Sequence, residues 1–177
     1  MEEFRDGLFG PTIILFVICL VFTFALAFVN RMTAPIIAQG QITALNEVRS
    51  KVLPAAESFT EVAGVKFPEG VSEVYRADNG MGFVFRSAAK GFAGNVTFIV
   101  GVDMDGKITG IEMFEHDETP GLGSKVADRN FLQNWYGDAD PSSVDGITGA
   151  TRTTNALRNA LIRAKEAYML VKEGQNG

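Results

Sequence analysis

The sequence predicts an α+β fold: one domain with a mostly antiparallel sheet and flanking helices, behind a single N-terminal transmembrane helix. Three observations carry this expectation. An uncharged apolar run lies near the start, a series of alternating strand-length segments follows with glycine-bearing turns between them, and the chain closes on an amphipathic segment at helical spacing.

Bulk composition sets the limits. With 177 residues, the chain retains about 140 once the apolar run is set aside, enough for one domain's core. A hydrophobic share of 46% and a charged share of 21% are ordinary for a folded protein, so the positive mean hydropathy comes from a local excess. The net charge of -5 argues against a nucleic-acid partner, because phosphate backbones are held by clustered Lys and Arg, and the sequence has no such cluster. The single cysteine, Cys19, lies within the apolar run, so the chain alone forms no intrachain disulfide and no thiolate metal or iron–sulfur site. Redox chemistry here requires another carrier.

Residues 11–29 read PTIILFVICLVFTFALAFV, 19 residues without a charge. At ~1.5 Å per residue, such a helix matches the hydrocarbon thickness of a bilayer. Arg5 and Asp6 on one side and Asn30 and Arg31 on the other mark the two interfaces, and Thr12 and Thr23 return their hydroxyls to the preceding turn. A cleaved signal peptide ending at Ala25-Leu26-Ala27 is the competing reading; the acidic leader MEEFRD and the length of the run favour retention. Charge bias between the flanks does not decide orientation. After Thr33-Ala34-Pro35, the apolar positions Ile37, Ile42, Leu45, Val48 and Val52 predict a helical stalk ending before Pro54. The expected organisation is a tail at 1–10, a membrane helix at 11–31, a stalk at 32–56 and an outer domain at 57–177.

Within that domain the segments 72–77, 81–87, 95–103 and 107–114 read as strands. Asp105-Gly106 between the last two is a hairpin signal, since a tight turn needs positive φ and glycine supplies it without steric cost. From Thr154 onward, Leu157, Ala160, Leu161, Ala164, Tyr168 and Val171 recur at helical spacing, with Arg158, Arg163, Lys165 and Glu166 largely on the other side. Strands in series without regular βαβ alternation point to the α+β class.

Two constellations are candidates for chemistry. The segment from Asp145 through Gly146, Ile147, Thr148, Gly149, Ala150 and Thr151 to Arg152, Thr153 and Thr154 opens the closing helix. The first-turn amides of a helix are unpaired and its dipole is positive there, so an anion fits, and Gly149 and Ala150 let a phosphate approach the backbone. Arg152 adds a positive charge. Simple helix capping by Thr151, Thr153 or Thr154 is the alternative, and the two are compatible for neighbouring threonines. The second segment runs from Glu115 and His116 through Glu118-Thr119-Pro120-Gly121-Leu122-Gly123 to Lys125. Its turn lets backbone amides approach a planar ligand, with Glu118, Thr119 and Lys125 offering an acceptor, a hydroxyl and a cation; a polar surface turn is the alternative. One histidine with scattered acids is a poor metal set, and neither a Ser-His-Asp order nor a Walker-type phosphate loop is present.

At these motifs the sequence resembles the FMN-binding G-type component of the Rnf electron-transport complexes, related to the C-type component of the sodium-pumping NADH:quinone oxidoreductase. The matching residues are Gly101-Val102-Asp103, then Asp105-Gly106-Lys107-Ile108-Thr109-Gly110-Ile111, then His116 and Glu118 through Gly123, then Asp145 through Thr151. With the anchor, the resemblance covers nearly the whole chain. It implies an FMN-binding domain whose FMN is esterified through its phosphate to Thr151 by a separate flavin transferase, on the extracytoplasmic face of the plasma (inner) membrane. It also implies an electron-carrying role among other subunits of the complex, which couples ferredoxin and NAD oxidoreduction to Na⁺ or H⁺ translocation. The residues assigned to the cofactor on this basis are Asp145, for the loop and the transferase; Thr148 and the Gly149, Ala150 and Thr151 amides, for the phosphate; Thr119, Leu122, Gly123 and Lys125, for the ring and its chain; and Glu118, for a ring-nitrogen or ribityl contact. Thr148 stands where Ser is common in the family, and the chain is shorter than the quinone-reductase relative. The corresponding component of that quinone reductase, or a membrane-tethered binding or assembly domain without a cofactor, are the competing functions.

Overall fold

A computed structural model describes residues 9–175, with the side chains of all but 9, 35–43 and 175. Arg5 and Asp6, and the side chains of Ile37 and Ile42, on which parts of the anchor and stalk reading rest, lie outside that description. The chain divides into two compact units, one ending at Leu45 and the other beginning at Asn46.

The first unit is helical. Helix α1 has the bounds Phe9–Val52, so anchor and stalk belong to one element of 44 residues, and Pro35 lies inside it. A proline removes one backbone donor and forfeits a single i→i−4 bond; just before it, the Thr33 hydroxyl donates to the carbonyls of Val29 (3.0 Å) and Asn30 (3.4 Å). The stretch Gly10–Ala34, 25 residues whose most apolar 18-residue window has a mean hydropathy of 3.0, is long and apolar enough to cross a membrane. Its side chains are bare within the unit: Phe16, Phe22, Phe24 and Leu26 are all exposed, and so is the Cys19 thiol. A helix apolar all round and covered by nothing belongs in a lipid-like solvent.

The second unit is a five-stranded antiparallel meander, β1 Phe59–Glu61, β2 Val71–Ala77, β3 Gly82–Lys90, β4 Asn95–Asp103 and β5 Ile108–Glu115, in sheet order β1-β2-β3-β4-β5. The four long strands follow the alternating segments of the sequence. The β4–β5 turn forms where Asp105-Gly106 predicts it. Gly106 adopts φ +86°, its amide donates to the Asp103 carbonyl (3.1 Å), and the Asp103 carboxylate accepts from the amides of Asp105 and Lys107, each at 2.9 Å. Strand β1, three residues long, and helix α2, Arg129–Gln133, are too short to show a period in sequence. The segment after α2 is tied to the sheet through Gly137, whose amide and carbonyl exchange bonds of 2.8 Å with those of Ile108.

Helix α3, Thr151–Gln175, crosses one face of the sheet over β3 and β4. Ala156, Leu157, Ala160, Leu161, Ala164, Ala167, Tyr168 and Val171 are buried against Phe83, Phe85, Phe98 and Val100. Its alanines let the helix lie close, and each fully buried large apolar side chain contributes roughly 1.5–3 kcal/mol. Phe83 meets the Tyr168 ring edge-on at 6.0 Å, and the Tyr168 hydroxyl donates to the Met104 carbonyl (2.6 Å), fixing the helix to the β4–β5 turn. The opposite face takes the last turns of α1. Val52 and Leu53 are buried there, and the Thr109 hydroxyl donates to the Val52 carbonyl (2.6 Å). The cross-strand pair Gly101 and Gly110 makes this contact possible, because a Cβ on Gly110 would stand 2.6 Å from Val52 backbone atoms. With both faces covered, β3 and β4 are buried almost along their lengths.

Candidate functional site

Three loops meet at one end of α3: the Gly91–Gly94 turn joining β3 to β4, the Glu118–Gly123 turn following β5, and the residues leading into α3. Between them lies a cavity of about 320 Å³. Seven residues selected from sequence line it, namely Glu118, Thr119, Leu122, Gly123, Gly149, Ala150 and Thr151, together with Phe92, Arg152 and Thr153. Asp145, Thr148 and Lys125 are exposed and outside its lining.

The start of α3 is unusual in its cap. The first intrahelical bond runs from the Thr154 amide to the Ala150 carbonyl (2.9 Å), so the residue preceding the helix is an alanine, which has no side chain to accept from the first-turn amides. The amides of Thr151, Arg152 and Thr153 therefore face outward without intrahelical acceptors. Gly149 turns the chain into the helix at φ +84°, a conformation that a side chain strains, and the Ala150 amide donates to the Ile147 carbonyl (2.9 Å). The loop before it is held by α3 itself: the Arg158 guanidinium donates to the Val144 carbonyl and the Lys165 ammonium to that of Ala139 (3.2 Å).

The three threonines at this entrance divide by environment. Thr154 is buried and returns its hydroxyl to the Ala150 carbonyl (3.0 Å). Thr153 is buried and donates to Glu118 Oε2 (2.7 Å). Thr151 is exposed and faces the cavity, and among the described residues its hydroxyl has no hydrogen-bond partner. None of the three caps the helix in the usual manner.

Glu118 holds the three loops together. Its Oε1 accepts from the amides of Phe92 (2.7 Å) and Ala93 (3.2 Å), and its own amide donates to His116 Nδ1 (3.3 Å). Burial pushes the carboxyl upward, but the bonds from Thr153, Phe92 and Ala93, with a smaller contribution from His116, outweigh it and hold the group below its ordinary 4.5. The carboxylate fits so closely that a Cβ on Gly123 would lie 2.3 Å from Oε2, and one on Gly91 would lie 2.3 Å from Oε1. Both oxygens expected to face a ligand are thus engaged with protein donors. The adjoining turn is ordered by the Gly121 amide donating to Ser124 Oγ (2.9 Å) and the Leu122 amide to the Thr119 carbonyl (3.2 Å).

Phe92 is the residue that sequence reading missed. It is 67% exposed, with Leu122 at 50%, and the Arg152 guanidinium stands 5.9 Å from its ring. An aromatic residue flanked by glycine and alanine in a short turn, Gly91-Phe92-Ala93-Gly94, was the available signal. The cavity thus combines an amide-rich anion seat, two threonine hydroxyls without a partner among the described residues, those of Thr119 and Thr151, and apolar side chains able to lie against a planar ring, a set that fits a flavin mononucleotide.

Fold and site together define an FMN-binding domain joined to a membrane-length helix, and residues 91–166 match the FMN-binding domain family. The chain is 36% identical to the G component of the Na(+)-translocating ferredoxin:NAD(+) oxidoreductase complex of Acetobacterium woodii, over 88% of this chain and 89% of that one. It is 28% identical to the G component of the proton-translocating ferredoxin:NAD(+) oxidoreductase complex of Clostridium ljungdahlii, over 97% and 92%. Identity is 31% to the G component of the ion-translocating oxidoreductase complex of Escherichia coli O157:H7, over 78% and 80%. The chain belongs to the G-component family of the Rnf-type ion-translocating electron-transport complexes.

Proposed function

We propose that this chain is the electron-transfer subunit of a membrane-bound complex coupling ferredoxin:NAD oxidoreduction to Na⁺ or H⁺ translocation, with FMN joined through its phosphate to the Thr151 hydroxyl. The observation that carries the linkage is the division among the threonines: Thr153 and Thr154 are buried and committed, whereas Thr151 is exposed at the cavity. A phosphoester there places the phosphate oxygens against the outward amides of Thr151, Arg152 and Thr153 and the positive end of the helix dipole. Bound FMN supplies reversible uptake and release of electrons. The protein positions the ring: Phe92 and Leu122 give it apolar cover, Thr119 and Gly123 shape the wall, and Arg152 adds charge beside the phosphate.

Asp145, exposed in the loop before the helix, is the proposed contact for the flavin transferase that makes the bond, with Thr148 beside it. Lys125 is exposed on the 3₁₀ turn Gly123–Ala127 and is assigned a supporting role toward the ring's side chain. Residues 11–31 are proposed as the membrane helix of the mature protein, 32–56 as the stalk, and 57–177 as an extracytoplasmic FMN domain; the other subunits of the complex are its partners. The coupling ion belongs to the complex. One relative is named for protons and another for Na⁺, and residues 10–34 contain a single ionisable cation, Arg31, and no carboxylate.

The test is Thr151→Ala in the full chain, co-expressed with a flavin transferase. Flavin fluorescence on a denaturing gel is lost while the domain remains folded; retained fluorescence places the ester elsewhere.

A further inference from the structure

The cavity wall carries two opposite charges of unequal burial. Glu118 is 4% exposed and is held by three neutral donors, the amides of Phe92 and Ala93 and the hydroxyl of Thr153. Arg152 is exposed and approaches the face of Phe92. Among the described residues neither takes part in a salt bridge. Neutral donors solvate a carboxylate without cancelling its charge, so the wall at Glu118 keeps a net negative charge where water screens it poorly. Because those donors hold the carboxyl below 4.5, the charge is present throughout the neutral range.

We propose that Glu118 lowers the reduction potential of the flavin held in this cavity through the uncancelled charge of its buried carboxylate, and that the exposed Arg152 opposes it more weakly. The proposal rests on the reading of the cavity as the FMN site. Adding electrons to a ring beside a fixed negative charge is disfavoured, and a neighbouring cation favours it. The electrons are those of the proposed ferredoxin:NAD oxidoreduction, and the accompanying protons come from solvent. Glu118 itself neither gains nor loses a proton; it is a positioning residue in an electrostatic sense, with no part in any covalent step. Exposure to water and salt weakens the effect of Arg152 and leaves that of Glu118 largely intact.

The experiment is a spectroelectrochemical titration of the full chain in detergent, matured with a flavin transferase and first checked by intact mass. The parent, Glu118→Gln and Arg152→Gln are compared at low and high salt. Glutamine keeps the volume and an acceptor for the Phe92 and Ala93 amides, so a purely structural role for Glu118 alters melting temperature and leaves the potential in place. The charge account expects Glu118→Gln to shift the oxidised-to-reduced ratio at fixed potential about tenfold toward the reduced form. For a two-electron couple this is ~30 mV upward, and it persists at high salt. Arg152→Gln shifts the potential downward, and that shift shrinks with salt. A Glu118→Gln potential equal to or below the parent's overturns the proposal. If that variant does not fold, Arg152→Gln decides: an unchanged or raised potential contradicts the account, and a lowered one supports it. A chain that gains no FMN mass overturns this inference together with the proposed function, whereas a loaded chain with unshifted potential overturns this inference alone.

Discussion

At the scale of single residues, hydroxyl and carboxylate placement decide what the site can do. Thr151 is exposed and among the described residues its hydroxyl has no hydrogen-bond partner, so Thr151→Ala is expected to change folding stability by less than about 0.5 kcal/mol while removing the proposed covalent flavin; chemical denaturation and gel fluorescence read the two effects separately. Thr153→Val has the reverse character. It strips Glu118 Oε2 of its donor in a buried setting, and a loss of about 1–3 kcal/mol in urea unfolding is expected. The sign of the acid response follows from Glu118. Its carboxyl is depressed in the folded state, so the stabilisation is complete above its ordinary 4.5 and is lost as pH falls through the depressed value. The stability of Glu118→Gln therefore varies less across that acid window than that of the parent. These placements were only partly legible in sequence. The two motifs and their anion-binding character could be read from local spacing. Which threonine remains free depends on the helix beginning at residue 151, and the use of both Glu118 oxygens depends on partners 25, 26 and 35 positions away, in Ala93, Phe92 and Thr153.

At the scale of elements, periodicity and turn chemistry placed β2 to β5 and α3, because those segments are long enough to show a period and are bounded by glycine turns. The junction between the end of α1 and the sheet was not foreseeable, since it arises from two glycines that are neighbours only through the β4–β5 register, Gly101 and Gly110. Their lack of side chains gives Val52 its seat and lets Thr109 satisfy the Val52 carbonyl. Gly110→Ala forces the end of the helix away from the sheet and is expected to cost about 1–3 kcal/mol by denaturant titration, from overpacking. A salt-bridge group supports the same face: Arg86 lies between Glu73 (2.7 Å) and Glu115 (2.9 Å), and Arg49 sits over the Tyr75 ring at 3.5 Å. Helix α1 runs unbroken through Pro35 and across residues 31 and 32, where the sequence reading passes from membrane helix to stalk. One proline costs a single ladder bond, and 43 other residues sustain the helix.

At the scale of the whole molecule, the chain consists of an apolar helix with no protein cover and a domain with a closed core, each described on its own. An uncovered 25-residue stretch long and apolar enough to cross a membrane suits a bilayer, so the full chain is expected to stay with the membrane pellet through an alkaline carbonate wash; release into the supernatant contradicts retention of the helix. The proposed phosphoester suits this arrangement, because such a bond would hold the cofactor without deep enclosure, and the cavity, flanked by the exposed Phe92 and Leu122, would leave a ring near the surface where electrons could pass to a neighbouring carrier. The most direct test is the intact mass of the mature full-length polypeptide isolated from its native membrane, followed by peptide mapping. A mass greater than that of the amino acids by one FMN less one water, located on the peptide containing Thr151, is the predicted result. A mass equal to that of the polypeptide alone contradicts the account.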